Sequence, residues 1–185
     1  MTDTTTASTL LPLAPGTWAV DHAHSSVGFV IRHLGISKVR GVFGTFTAEV
    51  AIGRTVEDTS VTATIDLASV DTGNADRDAH VQAPDMIDVA TRPTLTFRST
   101  ALVPDGDDWL LHGEATLGDV TKPLTLSVEL GGLQDHPMGG PRHAGFEARG
   151  ELRRSDFAIA PAIPAAVLGD VVKFELDVQL LEPES

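Results

Sequence analysis

The chain has 185 residues, 26 of them acidic and 13 basic, giving a formal net charge of -13 at pH 7 and no cysteine at all. The excess negative charge repels phosphate backbones and anionic membrane surfaces and argues against a nucleic-acid partner, while the lack of cysteine excludes disulfides, thiolate metal ligands and a cysteine nucleophile. Hydrophobic residues at 42% and charged residues at 21% describe one folded domain and not a disordered or membrane-embedded chain.

Met1 to Pro15 is rich in Thr, Ser and Ala, with Asp3 in place of a basic start and only Leu10, Leu11 and Leu13 as an apolar patch. That is too short and too weakly flanked for a signal peptide, so we expect a disordered tail at 1–15, a single domain over 16–182 and a cytoplasmic location. No later window reaches the ~20 apolar residues of a membrane span.

Beyond the tail, apolar and polar residues alternate, the period-two signature of half-buried strands. Val27, Phe29 and Ile31 share a face opposite Arg32, and Val42, Phe46, Ala48, Val50 and Ile52 read as a second run on one face. Val61, Ala63, Ile65 and Leu67 alternate with Thr62, Thr64 and Asp66. The rhythm then breaks from Thr72 to Arg92, where Asn74 as a cap and Asp76 and Asp78 in the first turn predict a short helix over 75–82. Met86 and Ile87 lie in the loop behind it. Leu95 and Phe97 restart the alternation, followed by Trp109, Leu111, Ala115 and Leu117, then by Leu124, Leu126, Val128 and Leu130. A second break at Gln134 to His143 holds two prolines and two glycines and reads as an irregular loop. Phe146, Ala148 and Leu152 oppose Glu147, Arg149 and Glu151, and the chain closes with Val172, Phe174, Leu176, Val178 and Leu180.

Gly53-Arg54, Pro104 to Asp108, Gly118-Asp119, Gly131-Gly132 and Gly169-Asp170 punctuate these runs as turns. About eight strands so connected predict an all-β, antiparallel meander closed into a barrel, because closure removes exposed edges. A sandwich is the architectural alternative. Inward faces made of Val, Leu, Ile, Phe and Ala suit a hydrocarbon ligand, although from periodicity alone such side chains could equally fill the barrel.

Specific residues narrow the choice. Trp18, Asp21, His24-Ser25, Val27, Phe29 and His33-Leu34-Gly35, then Gly41-Val42-Phe43 and Phe46, resemble the opening of the YceI-like family. Ser69 to Thr72, Arg77 to His80, Asp85, Pro93 to Thr100, Val120 to Pro123 and Arg154 to Phe157 continue the likeness in order, so it spans about Thr17 to Leu181. Asp119 and Ala158 depart from it at positions where the family often has glycine. The resemblance implies an eight-stranded, lipocalin-like barrel whose elongated apolar pore holds an isoprenoid chain, either a polyprenyl lipid or a quinone tail, with no cofactor and no catalysis; a homodimer is also expected on this ground. The pore would be lined by Val27, Phe29, Ile31, Val42, Phe46 and Ala48 from the first strands. Ala63, Ile65, Leu67, Met86 and Ile87 would follow, then Leu95, Phe97, Leu111 and Leu117, and finally Leu126, Val128, Phe146, Ala148, Phe174 and Leu176.

Strands of about ten residues, rising ~3.3 Å each and tilted by ~40°, give a barrel ~25 Å tall, room for about five extended isoprene units. His22 and His24, at i and i+2 on a presumed extended strand, could meet His33 and His80 with Asp21 or Asp78 around a metal, but two ligands at that spacing are a weak signal and no metal is assigned. Ser25 or Ser26 with His24 and Asp21 supplies the residue types of a hydrolytic triad, yet adjacent strand residues point to opposite faces. An enzyme acting on a small apolar substrate is therefore the alternative function. Arg77, Asp78 and Asp156 are expected to pair near one barrel end, and Arg77, Lys122 or Arg40 is the candidate to meet an anionic head group.

Overall fold

The computed structural model of the chain describes residues 11–184. Gly16–Val20 (β1) and Ser26–His33 (β2) are one line of chain bent at a 3-10 turn, His22–His24. Asp21 makes the bend: its carboxylate accepts the Ala23 amide at 3.0 Å and bonds His24 Nδ1 at 2.8 Å. Hairpin strands follow as Ser37–Phe43 (β3), Phe46–Ile52 (β4), Ser60–Asp66 (β5) and the two-residue Val70–Asp71 (β6). The predicted helix runs over Ala75–Gln82 (α1), with Asn74 Oδ1 accepting the Arg77 amide at 2.9 Å as its cap. Thr94–Asp105 (β7), Asp108–Leu117 (β8), Val120–Gln134 (β9), His143–Arg153 (β10) and Leu168–Leu181 (β11) complete the fold.

All pairings are antiparallel. The order β1-β4-β5-β7-β8-β9-β10-β11 returns to β1, so eight strands close a barrel. The bend at Asp21 lets the first strand serve both ends of β11: β1 meets it at Leu180 and Leu181, and β2 meets it from Leu168 to Asp177. At one end, here the lower, β1 therefore shuts the seam. At the upper end β2, β3 and β6 continue the sheet beyond β11, with β6 beside α1. No helix among the described residues is long and apolar enough to cross a membrane.

Several local expectations are corrected. Gly131-Gly132 and Gly169-Asp170 are not turns: β9 and β11 run through them, and the pairing register shifts beside each, so both are bulges that bend long strands. Val42 belongs to β3 and Phe46 to β4, and the Gly44-Thr45 turn between them reverses the parity of inward residues. Phe43 therefore faces in and Val42 is 44% exposed. His22 and His24 lie on a 3-10 turn and not on an extended strand. The tail boundary at 15 also moves, because Leu13 is buried among Trp18, Val50, Ile52 and Leu180, Leu11 packs against that cluster, and Trp18 Nε1 donates to Ala14 O at 2.9 Å. Residues 1–10, the remainder of the expected tail, lie outside the described residues.

A two-chambered lumen as the candidate binding site

The barrel encloses two cavities in line. The lower one, about 190 Å³, is walled by strand residues whose inward parity follows from the alternation of side chains. From the first half of the chain it takes Val27, Phe46, Ala48, Ala63 and Ile65. Leu95, Phe97, Leu111, Leu126 and Val128 come from β7 to β9, and Phe146, Ala148, Phe174 and Leu176 from the last two strands. No ionisable side chain is among its lining residues. Its two hydroxyl-bearing residues are Thr59 and Thr96, and Thr59 Oγ1 is engaged, accepting the Gly53 amide and donating to Thr55 O, each at 3.0 Å. Leu11 and Leu13 close the floor.

The upper cavity is about 420 Å³, within the ~300–1,000 Å³ of pockets that enclose small ligands. Phe29, Ile31, Leu67, Met86, Ile87 and Leu117 line it, and Leu95 and Phe174 belong to both cavities and form the waist between them. Its character differs from that of the lower chamber, because His33, Thr72, Arg77, His80 and Arg154 also reach its wall. Thr72 organises the helix side. Its amide and hydroxyl donate to Asp78 Oδ1 at 2.9 and 2.6 Å, while Arg77 Nε and Nη2 donate to its hydroxyl and carbonyl at 2.7 and 2.8 Å. Arg154 is 4% exposed and directs its whole guanidinium at main-chain carbonyls of Ile159, Ala160, Ile163, Leu168 and Gly169, at 2.5 to 3.3 Å. Among the described residues no carboxylate pairs with it. Arg154 is thus a buried cation satisfied by carbonyl dipoles alone.

A YceI-like domain is matched over residues 18–180. The chain belongs to the YceI-like family. Protein YceI of Escherichia coli O17:K52:H18 is 44% identical over 140 residues, which is 74% of this chain and 71% of that protein. Among solved structures, the YCEI protein of Campylobacter jejuni superposes with a TM-score of 0.74 at 32% identity, covering 89% of this chain and 96% of its own. A polyisoprenoid-binding domain from Saccharophagus degradans has the same fold, with a TM-score of 0.63 at 16% identity, 92% of this chain and all of that one.

The YceI-like barrel brings the sequence-derived candidates together with one exception: Val42 points outward and lines neither chamber. Others escaped the sequence reading. Leu11 and Leu13 were assigned to the tail, while Val20 and Leu102 lie on lining strands where the alternation could have found them. Phe157, Ile159, Ile163 and Val167, on the connection between β10 and β11, offered no periodic signal. Arg77 and Asp78 do not pair with each other but share Thr72. Of the three proposed head-group cations only Arg77 lines a chamber; Arg40 lies outside against Glu175 at 3.5 Å, and Lys122 reaches neither cavity. The triad residues are also accounted for. Ser25 Oγ accepts the Gln179 amide at 2.9 Å, while Asp21 serves the bend, its carboxyl held below the ordinary carboxylate range chiefly by the His24 hydrogen bond and further by the Ala23 amide.

Proposed function

We propose that this protein binds a long isoprenoid chain, either a polyprenyl lipid or the tail of an isoprenoid quinone, and carries or stores it without catalysing a reaction on it. The observation that carries this reading is the polarity step along one lumen: hydrocarbon walls below the Leu95–Phe174 waist, and polar side chains of His33, Thr72, Arg77, His80 and Arg154 on the wall above it. Each isoprene unit buried in the lower chamber would contribute about 3–4 kcal/mol at ~0.8 kcal/mol per CH₂, before ordering costs. The chain end therefore goes down and the polar head stays up, where Arg77 Nη1 keeps a donor unused among the described residues. The Saccharophagus degradans domain, described as polyisoprenoid-binding, supports this assignment through its shared fold.

Native mass spectrometry of protein purified from its own host, paired with solvent extraction, tests the proposal. A retained ligand whose homologues differ by five-carbon increments is the expected result. Lipid-free protein, or conversion of the bound lipid to a product on incubation, would overturn it.

A further inference from the structure

Beside the upper chamber lies a cluster of exposed apolar side chains. The β2–β3 turn presents Leu34 at 51% and Ile36 at 83% exposure, and the Leu34 amide donates to Val167 O at 2.8 Å, joining the turn to the β10–β11 connection. Val167 is itself 40% exposed and lines the upper chamber, so this surface is continuous with the cavity wall. The connection over 158–168 contains only Ala, Ile, Pro, Val and Leu, without one charge, and Pro161, Ala162, Pro164, Ala165 and Ala166 are exposed. Leu34 also holds φ 52, a left-handed conformation that a branched apolar residue adopts at a cost and that Asn or Gly takes readily.

Charge separates this face from the rest of the protein. The chain carries -13 overall, yet the segment from Ile31 to Arg40 holds Arg32, His33, Lys38 and Arg40 and no acidic residue. Arg32 and Lys38 are exposed and form no ion pair among the described residues. At physiological salt the screening length is ~8 Å, so a surface touching the turn responds to these nearby cations more than to distant carboxylates. The helix side of the mouth carries Asp76 and Asp85 instead, which tilts any anionic surface toward the turn.

From the exposed apolar tip, its flanking cations and its continuity with the chamber, we propose that the β2–β3 turn and the 158–168 connection dock the barrel mouth onto an anionic lipid bilayer. Leu34, Ile36 and Val167 enter the interfacial layer while Arg32 and Lys38 meet lipid phosphates. The role assigned to docking rests on the lipid-carriage reading: a ligand of this class then passes between bilayer and lumen without exposing its hydrocarbon to water.

Flotation of the full chain with phosphatidylcholine vesicles, with and without phosphatidylglycerol, tests the surface directly. The unaltered protein should float with the anionic vesicles, and Leu34→Asn/Ile36→Ser should reduce the bound fraction at least tenfold with a thermal midpoint no lower than that of the unaltered protein. Arg32→Glu/Lys38→Glu should lower binding to the level seen on phosphatidylcholine alone. Failure of the unaltered protein to float, or equal flotation of Leu34→Asn/Ile36→Ser, would overturn docking. Light scattering in which that double variant converts a dimer to a monomer, with no vesicle binding by the unaltered protein, would reassign the patch to self-association. Protein that floats but yields no extractable lipid supports docking and counts against carriage alone.

Discussion

Ala158 ends the 3-10 turn Arg154–Phe157 at φ 49 and ψ 40, a conformation that costs a residue with a Cβ about 1–2 kcal/mol. Its side chain is exposed and makes no packing contribution that glycine would forfeit. The family-typical glycine at this position is thus explained by the backbone, and the strain in this chain persists because Arg154 and the following loop hold the turn from the other side. Ala158→Gly should raise the urea midpoint, with a gain of up to ~1.6 kcal/mol after the larger unfolded-state entropy of glycine, about 0.4–1 kcal/mol, is subtracted. A loss of stability would contradict this account. Asp119 needs no such exchange: Gly118 beside it takes the positive φ of the β8–β9 turn, at 61°.

The connection between β10 and β11 is an element without internal regularity that nevertheless walls the upper chamber. One side chain supplies most of its side-chain hydrogen bonds: the guanidinium of Arg154 collects five carbonyls of the segment 159–169, while the Ala160 amide donates to Met86 O at 3.0 Å and the Leu34 amide to Val167 O at 2.8 Å. Arg154→Met keeps most of the buried stem and removes every donor, leaving those carbonyls unpaired at about 1–3 kcal/mol for each that water cannot reach. We expect a loss of at least ~3 kcal/mol by denaturant unfolding. Hydrogen exchange should locate the damage: the amides of Ile159, Ala160, Ile163 and Leu168 should lose protection, while that of Leu111 in β8 should keep it. A loss below ~1 kcal/mol would mean that the loop is held by its apolar contacts instead.

For the whole molecule, the question is whether the lumen is a container or a packed core. Ala63 and Thr64 on β5 decide it as neighbours on opposite faces. Ala63 lines the lower chamber and stands opposite Ala48 and Phe97, whereas Thr64 stands opposite Thr47 and Thr96 and is not part of either lining. Ala63→Trp should leave the barrel folded and displace lipid, because the indole takes space that the hydrocarbon vacates. In a filled core the same change would overpack and cost about 1–3 kcal/mol. Thr64→Trp should leave extractable lipid unchanged. A strongly destabilised Ala63→Trp, from a parent that yields no lipid, would reduce the molecule to a packed barrel.

Period-two alternation made the strands and most inward residues legible without coordinates, because successive side chains must point to opposite faces whatever the strand pairs with. Asn74 with Asp76 and Asp78 likewise marked α1, since a helix start is satisfied by residues adjacent in the chain. Legibility ended where parity is reset or partners are distant. The Gly44-Thr45 turn turned Val42 outward, and the glycines at 131–132 and 169 became bulges because long strands had to bend around a closed barrel. Leu11 and Leu13 look like tail residues until β1 and β11 form the floor they cover. Only tertiary structure could divide the lumen at Leu95 and Phe174, or bring Arg154 to carbonyls up to 15 positions away and Val167 to Leu34, because an irregular loop takes its conformation from what it packs against, which no local pattern records.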